Sequence, residues 1–284
     1  MNSKDRRAHL VFVTESPWEA IRKRAAEKLK QGGQAALEEA AALVGDADFQ
    51  NKVPENDSFP LHLWDHFRKS SHPLGWLPPR RTPEERSVPV WELRSNGTGG
   101  MGLPARPRSQ ALPQGPAAAL VQDATADPDS AAAFESILQN SNGRFEAALF
   151  RPTAPAAANR SLATSLAQAF APLTPKHPNQ PAASGTVPLE SVTLELLNIA
   201  INGGAYDSGQ GAALGRLHAW RTIRWMVTGH REPPFKDVLD LARSAQWIWF
   251  DVQALPWFED VAWDGCFAAC TPHRVSIVAW TDTD

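Results

Sequence analysis

Prolines divide this chain before any other signal acts. Nine of its 24 prolines lie between Pro73 and Pro116, interleaved with Arg80, Arg81, Arg86, Arg94, Arg106 and Arg108. Proline fixes φ and brings no N–H, so such an interval holds little helix or central strand. The spacing predicts an irregular, weakly packed segment over 71–116. A helical region at 1–70 precedes it, and an α+β core domain at 117–284 follows it. A second breaker-rich stretch runs from Pro152 to Pro188, and after Pro188 the next proline is Pro233. Long elements belong in that last interval.

Local signals place the helices. Ser16-Pro17-Trp18-Glu19 reads as a helix start, with Ser as N-cap, Pro in the first position and Glu in the third. That helix runs to Lys30 and stops at Gly32-Gly33. Further helices are expected over Gln34–Val44, Leu61–Lys69, Ser130–Gln139 and Ser161–Phe170. Leu10–Thr14 reads as a short strand. Arg144–Phe150 alternates, with Phe145, Ala147 and Leu149 on one face, and reads as a strand after the Ser141-Asn142-Gly143 turn.

The last third is the clearest. Leu189–Ile201 reads as a buried helix with Leu194, Leu197 and Ile201 on its apolar face, ended by Gly203-Gly204. Asp207 or Ser208 caps the next helix, which stops at Gly229 and turns Ala213, Leu217, Trp220, Ile223 and Val227 inward. A third helix is expected over Phe235–Trp249. Cys266–Cys270 and Val275–Trp280 read as strands joined at residues 271–274. The expected fold is α+β and mostly helical. Its helices cover one face of a small sheet formed by the C-terminal strands and the strand near 144–150.

Composition excludes several classes. The net charge of −3 leaves no basic surplus for a polyanion, so no nucleic-acid partner is expected. No run approaches the roughly 18 apolar residues of a membrane helix, so no membrane partner is expected either. Lys4, Arg6 and Arg7 precede the apolar run Leu10–Val13, but that run is too short for a secretory signal. Two cysteines make no disulfide framework. A cytoplasmic location follows as the expectation.

Each motif has a bland reading beside the chemical one. Gly97, Gly99 and Gly102 fit G-x-G-x-x-G, but Pro104 and Pro107 forbid the helix that must hold a pyrophosphate. No Gly-Lys pair exists for a phosphate-binding loop. His62 and His66 sit at zinc-binding spacing on a helix, with Leu63 where a zinc protease needs Glu and His72 as a distant third ligand. Cys266, Cys270 and His273 depart from the iron–sulfur pattern, and buried core cysteines are commoner. No metal and no cofactor is expected. Seven of the eleven tryptophans fall between Trp220 and Trp280, where core is expected.

The segment Gly203–Arg224 is the best candidate for a ligand. Its glycines permit close backbone approach, and a helix N-terminus near Ser208 offers free N–H groups to an anion. Arg216, Arg221 and Arg224 suit a carboxylate or phosphate, while Tyr206 and Trp220 can stack. The candidate ligand residues are Tyr206, Asp207, Arg216, Trp220 and Arg221. On the structural reading, the glycines serve capping and packing, and the arginines form a solvated face.

Asn202-Gly203-Gly204-Ala205-Tyr206, Gly215-Arg216-Leu217-His218-Ala219-Trp220-Arg221, Trp263-Asp264 and Thr281-Asp282-Thr283-Asp284 together resemble an uncharacterised family of bacterial proteins. The Ser141-Asn142-Gly143-Arg144 turn and its strand are similar as well. The resemblance covers residues 130–150 and 190–284 and implies no assigned activity. Two functions stay open. One is a non-catalytic cytoplasmic interaction or immunity-type protein with a protein partner. The other is an enzyme or small-ligand binder that recognises an anion through Gly203–Arg224. A deep pocket lined by Arg216, Tyr206 and Asp260 or Asp264 favours the second, and a packed interior with a flat apolar patch favours the first.

Overall fold

The computed structural model describes residues 16–86, 110–111, 120–125, 127–152, 158–175, 183–204, 209–253, 255–259 and 263–282. The expected strand at 10–14 and the glycine pattern at 97–102 lie outside them. The first helix forms as its signals dictate. In α1 (Pro17–Gln31) the Ser16 hydroxyl accepts the Glu19 N–H, and Gly32 and Gly33 end the helix at φ of 70° and 83°. It packs on α2 (Gln34–Phe49), which runs past the expected end at Val44, and α3 (Phe59–Lys69) follows.

The next segment departs from expectation. Pro73–Trp76 forms a 3-10 turn and Pro83–Arg86 a short helix, α4. Leu74, Leu77, Arg81, Thr82, Glu84 and Glu85 are all buried. Pro73 and Pro83 stand at first helical positions, where a missing N–H costs nothing. The prolines therefore set corners, and the side chains between them pack. Residues 71–86 belong to the packed body, which corrects the weakly packed reading there; residues 87–109 and 112–119 lie outside the described set.

The remaining elements are β1 (Gln110–Ala111), β2 (Leu120–Thr125), α5 (Glu135–Asn140), β3 (Arg144–Pro152), α6 (Ala158–Ala169) and β4 (Ser184–Val187). After them come α7 (Leu189–Asn202), α8 (Gly211–Thr228), α9 (Phe235–Ser244), β5 (Gln246–Phe250), β6 (Gly265–Thr271) and β7 (Arg274–Thr281). The strands form one sheet in the order β1-β4-β5-β6-β7-β3-β2, and every neighbouring pair is antiparallel. The fold is α+β as expected.

Two features of the sheet correct the sequence reading. First, the helix expected over Phe235–Trp249 ends at Ser244, and β5 begins at Gln246. Trp247 and Trp249 face the core shared with the helices, while Ile248 and Phe250 face the opposite core. A strand buried on both faces has no polar positions to reveal a period of two, so its apolar run prolongs the helical pattern before it. Second, both faces of the sheet are covered. One meets α7, α8 and the N-terminal helices. The other meets Leu162, Leu166 and Phe170 of the α6 region, together with Leu173, Val252 and Phe258.

Cys266 and Cys270 point into that second core as free, buried thiols. Burial pushes both thiol pKa values up, so neither is poised as a nucleophile. His273 lies exposed in the β6–β7 turn, away from their buried face.

Candidate functional site

Helix α8 carries Arg216, Trp220 and Arg221 and is packed along much of its length. Its start differs from expectation. Tyr206, Asp207 and Ser208 lie outside the described residues, and α8 begins at Gly211 with no side-chain cap from Gln210. A distant residue serves instead, because Asp46 of α2 accepts the Ala212 N–H at 3.3 Å. Gly45 permits this approach, since a Cβ there would stand 3.1 Å from the Ala213 nitrogen. An internal carboxylate thus occupies the anion position at the helix N-terminus.

Asp46 is held at some cost. Burial raises its carboxyl pKa, and the Ala212 N–H offsets this only in part. A carboxyl with a folded pKa above its unfolded value favours folding in its neutral form. That advantage is full below the unfolded pKa of about 3.9 and is lost as pH rises through the folded value. Asp46→Asn keeps the acceptor oxygen without the charge. The variant is expected to be more stable than the wild type at pH 7, with the difference closing below about pH 4 in urea titrations at a series of pH values. A variant less stable at pH 7 would mean that the helix dipole outweighs desolvation.

Arg216 faces inward. Its Nε donates to Glu85 Oε1 at 2.5 Å and its Nη2 to Oε2 at 3.0 Å, while Nη1 and Nη2 also reach the carbonyls of Pro78 and Arg80 at 2.7 Å each. Trp220 Nε1 donates to Glu85 Oε1 at 3.0 Å. The Thr82 N–H donates to Oε2 at 2.5 Å, and Thr82 Oγ1 accepts the Glu85 N–H at 3.4 Å. Two candidate ligand residues are therefore joined to one internal carboxylate, with side-chain exposures of 5% for Arg216 and 0% for Glu85. Sequence reasoning missed Glu85, although a signal was present. Thr82-Pro83-Glu84-Glu85 repeats the cap-Pro-x-Glu signature that marks α1.

Arg221 and Arg224 flank Asp129. Arg224 is buried, pairs with Asp129 Oδ2, and lies 5.5 Å from the Trp76 ring centre. Arg221 is half-exposed and pairs with Asp129 Oδ1 through Nε at 3.0 Å. Glu135 accepts from Gln139 at 2.9 Å and from Gln210 at 3.0 Å. His218 Nδ1 lies 3.3 Å from Glu135 Oε2, close enough for an ion pair but not aligned as a hydrogen bond. Burial holds the His218 imidazole below the usual histidine range, opposed by Glu135. Beside these groups runs a shallow groove of about 280 Å³, lined by Pro128, Ala131, Ala132, Glu135, Leu138, Gln139 and Arg221.

A third set meets at one end of the sheet. Ser141 Oγ donates to Asp282 Oδ1 at 2.5 Å, and Thr281 Oγ1 donates to Asp264. Asp264, Thr281 and Asp282 are buried. Gly204 presses against this set, because a Cβ there would fall 2.0 Å from Asp282 Oδ2. The turn after α5, the stop after α7 and the end of β7 thus converge, although they are far apart in sequence.

The histidine pair is not brought to a third ligand. His62 and His66 lie exposed on α3, while His72 turns to Glu38 Oε1 at 3.2 Å and accepts the Leu74 N–H at 3.2 Å. Among the described residues, no group of three or more His, Cys, Asp or Glu side chains is placed to hold a metal ion. No described helix is long and apolar enough to cross a membrane.

No curated protein and no solved structure matches the chain. A family match takes in most of the N-terminal half, where the resemblance reached only residues 130–150 and 190–284. This wider extent has a physical basis, since Leu63, Phe67 and Leu74 share one core with Trp220 and Trp225. The chain belongs to DUF6183, a family of unknown function whose model matches residues 22–284.

Proposed function

We propose that this chain is a non-catalytic cytoplasmic protein that acts by binding another protein. One observation carries the reading: the groups that Gly203–Arg224 offers to an anionic ligand are largely engaged by the chain's own carboxylates. Asp46 takes the N-terminus of α8, Glu85 takes Arg216 and Trp220, and Asp129 takes Arg224. A small anion would have to displace buried, hydrogen-bonded partners, which costs several kcal/mol per charge, on the order of 3–5. The described grooves are shallow, which suits a protein surface better than an enclosed substrate.

The test uses the tagged full chain as bait, followed by gel filtration of whatever it retains. The expected result is a stoichiometric complex with one protein species that survives the column. Retention of no protein, together with saturable calorimetric binding of inorganic phosphate or citrate, would overturn the proposal in favour of the anion-binding alternative.

A further inference from the structure

We infer that the groove between α5 and α8 is the docking place, and that it takes a partner segment presenting an aliphatic side chain next to a carboxylate. The inference rests on the proposed function and adds to it the chemistry of the partner. The groove is apolar along Pro128, Ala131, Ala132 and Leu138. Leu138 is 38% exposed, one of three large apolar side chains so placed among the described residues. An exposed leucine beside alanine and proline walls gives an aliphatic side chain a place to leave water.

Charge decides what accompanies that side chain. Glu135 in the groove wall and Asp129 beside Arg221 each have partners on both oxygens. Glu135 receives Gln139 on Oε1 and Gln210 on Oε2, and Asp129 pairs with Arg221 through Oδ1 and Arg224 through Oδ2. Arg221 is different, for its ion pair runs through Nε and, among the described residues, none hydrogen-bonds to its Nη1 or Nη2. At 39% side-chain exposure, those two N–H₂ groups stand at the edge of the groove. A guanidinium presenting two such donors matches a carboxylate, and a partner lysine or arginine placed at that edge would be repelled by Arg221 itself. The pattern is an apolar anchor with one charged clasp at its rim.

The experiment selects random linear peptides displayed on phage against the immobilised full chain. Selected peptides are then measured by fluorescence anisotropy on the wild type, Leu138→Asp, Arg221→Gln and Arg221→Glu, each first shown to melt cooperatively near the wild-type temperature. The expected peptides share an aliphatic residue beside Asp or Glu. Leu138→Asp abolishes their binding, and Arg221→Gln weakens it about tenfold, the size of one lost charge-assisted bond. Arg221→Glu recovers affinity for peptides whose acid is changed to lysine, a gain that a folding defect would not produce. Peptides without an acid, equal binding to all variants, or no selection at all would overturn the inference. Failure of the broader proposal is separate. A protein captured equally by the wild type and these variants keeps the binding function and removes the groove, whereas capture of no protein removes the function itself.

Discussion

Glu85→Ala is expected to destabilise the fold by about 3–5 kcal/mol, among the largest effects of any single substitution in this chain. The change leaves the Arg216 guanidinium buried with carbonyls as its only acceptors, and leaves the Trp220 N–H and Thr82 N–H without theirs. It also loosens α4 from α8, while the Arg216 donors still hold the corner at residues 78–80 through the carbonyls of Pro78 and Arg80. Urea unfolding followed by tryptophan fluorescence gives the number. The companion variant Glu85→Gln with Arg216→Met removes both charges and should recover a large part of the loss, because a buried pair is costly mainly when only one member is removed. A loss below about 1 kcal/mol for Glu85→Ala would mean that water reaches this pair, as it does in surface ion pairs.

Gly204→Ala is the second large effect expected. The new methyl group would stand 2.0 Å from Asp282 Oδ2 and 2.8 Å from Ile137 Cγ2. Neither neighbour can step aside freely, as both are buried and Asp282 is bonded to Ser141. Overpacking of this kind costs about 1–3 kcal/mol, and breaking the carboxylate's bond adds a similar amount. Thermal melting should show a drop of many degrees. Gly32→Ala is the control, since a Cβ there meets nothing within 4 Å and only the φ of 70° opposes it. Equal, small effects at the two sites would show that the Asp282 set yields easily.

Much of the fold was legible because its signals are local. The Ser16 cap, the Gly32-Gly33 stop, the Gly203 and Gly229 ends and the β6–β7 hairpin each act within a few residues. Strand β5 was hidden because Trp247–Phe250 is apolar on both faces. The packing of residues 73–86 was hidden because proline was read as a bar to structure, when it bars only certain positions within it. The site was least legible. Arg216 and Glu85 are 131 residues apart, and the Asp46 cap lies 166 residues from the helix it serves. Nothing in either local sequence says that such partners will meet, so the sequence offers Arg216 only as a ligand donor or as part of a solvated face, and not as the buried partner of Glu85.

The pairing of β3 with β7 bears on how fast this fold is reached. Arg144 lies opposite Thr281, and Phe150 opposite Val275, so this pair joins segments more than a hundred residues apart. The β4–β5 pair is non-local too but closer, with Ser184 opposite Phe250, whereas the β6–β7 hairpin closes over a short turn. Loop closure must come before such contacts can contribute, so the search is slow and its rate is set by topology more than by the depth of the native well. The hairpin and the neighbouring α7–α8 pair are the local structures available early. Until β3 finds β7, each leaves a strand edge or an apolar face open, and the chain is most exposed to self-association during that interval.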